Sequence, residues 1–232
     1  MEKIAIISDI HANYHALKSV LSDIDDRKID KIICLGDIVG YGSMPDECVT
    51  ELRTRNVTSL LGNHDSYLLG LASCERSKVV DEIISWHRHQ VSDQNKNWMQ
   101  TFPRELKSSE TQYFHGGPND PTDQYIYEVS NGLFDEVDKD IVNIVCGHTH
   151  VQKQFHFANK KFINPGSVGQ PRDGDPRAAY AIFNESEFHL IRVKYDIFGA
   201  MKDAKNKGYQ KFCYENLSKG TQLGGRVDKI TC

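Results

Sequence analysis

Short runs of consecutive apolar residues alternate along this chain with longer stretches whose apolar residues recur at helical spacing. Ile4-Ala5-Ile6-Ile7 and Ile32-Ile33-Cys34-Leu35 are unbroken apolar runs, as expected of parallel strands covered on both faces. Between them, Asn13 to Asp26 sets Ala16, Leu17, Val20, Leu21 and Ile24 on one helical face, with Asn13 placed to cap it. A second helix begins near Pro45 and turns Cys48, Val49 and Leu52 inward, and Val57–Leu61 predicts a third strand. Strand, helix, strand, helix, strand with right-handed crossovers makes those strands parallel.

The stretch 66–106 breaks the rhythm. Val79, Val80, Ile83, Ile84 and Trp86–His87 predict one helix and Asn95–Phe102 another, stopped by Pro103, so this is a helical excursion over one edge. Strands return at Thr111–Phe114 and Ile141–Cys146, separated by a Pro/Asp/Asn-rich turn region. Val151–Phe157, Lys160–Ile163, Ala178–Phe183 and Glu187–Val193 read as antiparallel strands of a second sheet. The tail is helical by pattern over Ile197–Leu217, with loosely ordered residues after it. No linker, repeat or low-complexity segment divides the chain, so residues 1–232 are expected to form one domain.

Composition narrows the functional classes. A net charge of -4 gives no electrostatic basis for a nucleic-acid polymer or an anionic membrane as partner. No basic segment followed by an apolar block opens the chain and no apolar run is long enough to span a bilayer, which predicts a cytoplasmic protein. The six cysteines include no C-x-x-C pair; Cys34 and Cys146 lie in strand patterns and read as small buried hydrophobes, all thiols reduced.

The chemistry lies where the apolar runs stop. If extended geometry continues past Ile7, Asp9 and His11 share one side of the chain and Ile10 the other. The carboxyl ends of strands in open α/β sheets are where ligands bind. Asp37, Asn63 with His64, His115, and His148 with His150 end the later runs in the same way. Carboxylates, imidazoles and one amide, with no thiolate, form a mixed nitrogen and oxygen set suited to Mn, Fe, Zn, Co or Ni. They exceed the needs of one ion, which points to two, with Asp37 as the bridging carboxylate. One histidine beside a glycine is ordinarily a hydrogen-bonded surface residue, the reading given to His15, His87, His89, His156 and His189. Five strand ends in agreement are a different matter.

The ordered set Asp9-Ile10-His11, Gly36-Asp37, Gly62-Asn63-His64-Asp65, His115-Gly116 and Gly147-His148-Thr149-His150 resembles the calcineurin-like metallophosphoesterase superfamily. The run Ile163–Arg172 is similar to its compact bacterial and archaeal phosphodiesterase branch. The resemblance implies an α/β fold, a four-layer α/β/β/α sandwich of two facing sheets flanked by helices. It implies that Asp9, His11 and His150 bind one metal, that Asn63, His115 and His148 bind another, and that Asp37 bridges. Mn or Fe is favoured. His64 would be a non-ligand catalytic histidine, oriented by Asp65 or a backbone group, and Asn13, Tyr41 and Arg172 are candidate substrate contacts. The activity implied is hydrolysis of small phosphodiesters or nucleotides by a metal-bridging hydroxide. The alternatives are an asymmetric dinucleoside polyphosphate hydrolase, a phosphomonoesterase, or a scaffold on the same fold. His64 weighs against the scaffold, because the retromer subunit that resembles this family lacks that histidine. Relatives acting on phosphoproteins or symmetrical dinucleoside tetraphosphates continue the second motif with Asp-Arg; Gly40-Tyr41 stands there instead, removing a bidentate phosphate clamp. The excursion and the edge of the second sheet are surfaces through which copies of the chain could pair.

Overall fold

A computed structural model describes residues 3–29 and 31–232. The first sheet has the order β10-β9-β1-β2-β3, built from β1 (Ile4–Ile7), β2 (Lys31–Cys34), β3 (Thr58–Ser59), β9 (Ala178–Asn184) and β10 (Glu187–Val193). Its β1, β2 and β3 run parallel, while β9 and β10 are antiparallel. The second has the order β4-β5-β6-β8-β7, from β4 (Glu105–Ser108), β5 (Thr111–Phe114), β6 (Asn143–Cys146), β7 (Gln152–Phe157) and β8 (Lys160–Pro165). Here β5, β6 and β8 are parallel and the hairpin partners β4 and β7 antiparallel.

The alternation of β1 explains the unbroken run. Ile4 and Ile6 meet Ile33, Tyr113, Val145, Ile163 and Phe188 in the core between the sheets. Ala5 and Ile7 point the other way, against Leu17, Val20, Leu21 and Ile24 of α1 (Tyr14–Asp26) and Val49 and Leu52 of α2 (Pro45–Thr54). Both faces are dry, and each such side chain contributes ~1.5–3 kcal/mol by leaving water. Asn13 caps α1, its Oδ1 accepting from the Ala16 N–H at 3.1 Å, and Pro45 opens α2. Over the outer face of the second sheet, Phe114, Ile144 and Phe162 pack on Ile126, Phe134 and Ile230. That covering layer holds one 3-10 turn, Asn131–Glu136, and extended chain. This is the α/β architecture of two facing mixed sheets flanked by helices that the sequence predicts.

Several expectations need correction. The four late strands do not make a sheet of their own: β7 and β8 join β6, while β9 and β10 join β1. Alternating hydrophobicity identifies a hairpin but not the edge it docks on. The third strand shrinks to Thr58–Ser59, and β4, polar and exposed at a sheet edge, carries no apolar signal to read. Beside α4 (Lys78–Gln90) and α5 (Asp93–Met99), a further helix, α3 (Asn63–Leu69), starts directly at the third motif. In the tail, α6 covers Ile197–Asn206 and two 3-10 turns replace the rest of the expected helix. Nor are the last residues loose. The Val129 N–H donates to Thr231 O, the Thr231 N–H to Tyr127 O, and Ile230 is buried.

Candidate active site

The five strand ends converge, but from two sheets rather than along one edge: β1, β2 and β3 deliver one half, β5 and β6 the other. Strand geometry does not continue to Asp9 and His11, as the alternation expected. Both adopt left-handed backbone, φ 54° and 48°, as do Asp37, His148 and His150. Such conformations cost a non-glycine residue ~1–3 kcal/mol and persist only where the surroundings over-determine them. Here the loops hold one another: Asp9 N–H donates to Gly36 O, His11 N–H to Asp37 O, and His148 N–H to Asp9 Oδ2. The motif glycines have a steric cause. A Cβ on Gly62 would strike the Asp37 carboxylate, and one on Gly147 the Ser8 hydroxyl.

Hydrogen bonds around the cluster fix where its lone pairs point. His11 Nδ1 lies 2.9 Å from Val39 O, His150 Nδ1 2.7 Å from Gln170 O, and His115 Nδ1 3.1 Å from Leu35 O. A carbonyl oxygen only accepts, so each Nδ1 carries hydrogen and each neutral ring turns a bare Nε2 inward. His11 Nε2 and His150 Nε2 then face each other at 3.0 Å with no hydrogen between them. Asp9 Oδ1, buried and without a hydrogen-bond partner, lies 3.2 Å from His150 Nε2. His115 Nε2 meets Asn63 Oδ1 at 3.1 Å, His148 Nδ1 at 3.1 Å and Asp37 Oδ2 at 3.4 Å. Asp37 Oδ2 stands between the halves, 3.7 Å from His11 Nε2. Acceptors brought together without donors leave room for one kind of guest, a cation. Asp9, His11 and His150 form one group able to hold an ion, and Asp37, His115 and His148 another.

The electrostatics agree. Burial opposes ionisation of Asp9 and Asp37, yet the surrounding imidazoles, His150 for Asp9 and His115 for Asp37, hold both carboxyls well below the usual range. Burial lowers His11, His148 and His150, keeping them neutral and able to ligate. For His115, burial is outweighed by Asp37 and the pKa rises to about 9, which marks this point of the cluster as one where positive charge is favoured.

His64, at the start of α3, sits with Nε2 4.0 Å from Asp37 Oδ2 and is pushed down to about 4 by burial. Its Nδ1 has no hydrogen-bond partner, and Asp65 does not orient the ring. Instead the Asp65 carboxylate accepts from the N–H groups of Asp37, Ile38, Val39 and Gly62, bracing the loop that carries Asp37. Burial and the charge of Asp37 push its pKa up to about 7. Asn13 is likewise committed: beyond capping α1 it donates to Gly169 O at 2.8 Å, so its amide belongs to the scaffold rather than to substrate. His87, read as a surface residue, is fully buried; it accepts from the Gly40 N–H and donates to Gly42 O, clamping the loop that carries Tyr41.

Tyr41 packs against the His11 and His64 rings at 4.7 and 4.9 Å. Its hydroxyl accepts from Arg172 at 3.3 Å, and that guanidinium lies 5.5 Å from the Tyr41 ring. A guanidinium absent after Asp37 is thus supplied from another segment. Arg172 is 5% exposed, its Nε has no hydrogen-bond partner, and among the described residues no carboxylate pairs with it. From there a cleft of about 470 Å³ opens past Tyr125 and Tyr127 to Arg76 and Arg226. Sequence reasoning missed these residues, which lie in turns and in the tail without periodicity. It also missed Asp123, whose Oδ1 lies 3.4 Å from His148 Nε2.

Residues 2–187 match the family model described as the calcineurin-like phosphoesterase superfamily domain. An uncharacterized protein of Methanocaldococcus jannaschii is 38% identical over 240 residues, spanning 92% of this chain and 93% of that one. A metallophosphoesterase from Sphaerobacter thermophilus superposes with a TM-score of 0.82 at 33% identity, over 94% of this chain and 99% of that one. A symmetrical bis(5′-nucleosyl)-tetraphosphatase of Erwinia tasmaniensis is 34% identical over 101 residues, 37% of each chain.

Proposed function

This chain belongs to the calcineurin-like phosphoesterase superfamily and is a phosphoester hydrolase, and from that premise we propose that it cleaves small phosphodiesters or nucleotides at a dinuclear metal centre. The observation that carries this reading is the convergence of buried imidazole nitrogens on the carboxylates of Asp9 and Asp37. Asp9, His11 and His150 would hold one ion, Asn63, His115 and His148 the second, and Asp37 both. The nitrogen and oxygen set suits Mn or Fe, and also Zn, Co or Ni. What such ions supply when bound is a lower pKa for water and Lewis acidity toward phosphoryl oxygens.

The chain's own groups do the rest. Carbonyls of Leu35, Val39 and Gln170 fix the ring orientations of His115, His11 and His150. Arg172, buried with an unused Nε–H, pairs with a phosphoryl oxygen and so orients the ester. The negative charge of a bound ester counters the burial that keeps His64 neutral in the free protein; the imidazolium so formed donates a hydrogen bond to the oxygens where negative charge grows and passes its added proton to the departing alkoxide. The match to tetraphosphatases supports a nucleotide substrate, and Arg172 answers the missing motif arginine, so dinucleoside polyphosphate hydrolysis stands as the second reading.

A panel of bis-aryl diesters, aryl monoesters and dinucleoside polyphosphates, assayed with each divalent metal, tests the substrate class. His64→Ala should lower turnover ~10²–10⁴-fold with metal content unchanged. An unaltered rate removes His64 from the mechanism, and no turnover of any ester with any metal removes the reading.

A further inference from the structure

We propose that the cleft beside His64 is a nucleotide subsite, with the base lying against the tyrosine wall of Tyr125 and Tyr127 and a second anionic group meeting Arg226. This rests on the phosphoesterase reading and adds which part of the substrate flanks the ester that is cut. The lining is unlike the rest of the molecule. In a chain of net charge -4, Arg76, Arg172 and Arg226 all line the cleft and no carboxylate does. Arg172 is the buried inner cation, beside His64. Arg76 and Arg226 form the outer rim, with side chains 55% and 67% exposed. Each is steadied from behind, Arg76 by Asp123 and Arg226 by Asp228, which takes only its Nε at 2.8 Å.

Positive charge alone selects any phosphate. The aromatic wall narrows the class. Tyr125 and Tyr127 stand parallel, 5.7 Å apart at 6°, and Tyr125 leans on the His148 ring with centroids 3.8 Å apart. The tyrosines therefore begin at the metal-side histidines and run outward. Tyr125 is 42% exposed, with the Arg76 guanidinium 5.6 Å from its ring centre, so the ring and that cation are open to a planar anionic guest together. Rings with cations at both ends suit a planar base joined to at least two phosphate groups. A volume of about 470 Å³ is of the size that admits a mononucleotide unit. Gln222, Leu223 and Arg226 close the far side, which gives the anchored tail a function.

Isothermal titration of the manganese-loaded protein separates the contributions with three probes: adenosine 5′-(α,β-methylene)diphosphate, methylenediphosphonate and AMP. The nucleoside and the second phosphorus should each improve the dissociation constant about tenfold. Tyr125→Ser should cancel the nucleoside gain while Tyr125→Phe retains it, and Arg226→Ser should cancel the gain from the second phosphorus. Equal affinity for the nucleotide and methylenediphosphonate, or gains that survive these substitutions, overturn the proposal. A protein that hydrolyses aryl esters but shows no such differences keeps the phosphoesterase reading and loses this one. An inert protein that shows them does the reverse.

Discussion

The buried cluster of histidines and carboxylates and the cleft beside it are built on opposite plans. Every cluster residue from Asp9 to His150 lies at or just past a strand end and is nearly inaccessible, fixed by backbone carbonyls and N–H groups. The cleft draws on the α3–α4 connection, the turn region after His115, the Arg172 loop and the tail, and its outer arginines are mostly exposed. The cluster is rigid enough to force acceptors together. The cleft is open enough to admit a substrate and release a product. A hydrolase needs both, because preorganised charge speeds the chemistry while loops decide what enters.

The sharpest way to break this comparison is at the atom the two halves of the cluster share. Asp37→Asn should reduce turnover to background and lower bound metal, read by elemental analysis, because Oδ2 faces His11 from one sheet and His115 from the other. Its Oδ1 also accepts from the His64 N–H at 2.9 Å, so His64 should shift as well. Retained metal and retained rate would show that the halves work independently.

Arg172 sits at the border and predicts two effects of opposite sign. A buried guanidinium with no carboxylate partner costs stability, so Arg172→Met should leave the melting temperature unchanged or raise it. The same change should raise KM ~10–100-fold, the worth of a charged hydrogen bond to phosphate. A fall in stability with KM unchanged would make Arg172 a structural residue.

The same contrast explains what could be read from the sequence. Each cluster segment follows an apolar run and four of the five carry a glycine, so the convergence of Asp9, His11, Asp37, Asn63, His64, His115, His148 and His150 is legible, as is the α/β architecture. Local pattern did not disclose that Asp65 accepts from four backbone N–H groups, because that depends on how the β2 loop folds over α3. Asn13 illustrates the converse: a polar residue beside a motif invites a substrate role, and the helix cap takes it. The sheet partners of β7–β10 were hidden for a related reason, since docking edges are set by long connections rather than by periodicity. Tyr125, Arg76 and Arg226 sit in turns and tail, where nothing in the residue pattern marks them.

One residue belongs to both regions, and it makes the smallest but most informative test. Asp123 lies in the turn after His115, its Oδ2 paired with Arg76 of the cleft rim and its Oδ1 3.4 Å from His148 Nε2. Both Oδ1 and Nε2 are buried and neither has a hydrogen-bond partner, so the two are left to each other. A carboxylate behind a ligating imidazole keeps the far nitrogen protonated and the near one bare, here Nδ1, which faces His115. Asp123→Ala should therefore weaken the metal held through His148 about tenfold, measured by chelator competition. Arg76→Ser, which frees Asp123 without removing it, should produce a smaller change in the same direction. If neither substitution alters metal affinity, the cleft and the cluster are energetically separate and only share a wall. If both do, a nucleotide phosphate that draws Arg76 away from Asp123 would be felt at the metal, and the pliable region would tune the rigid one.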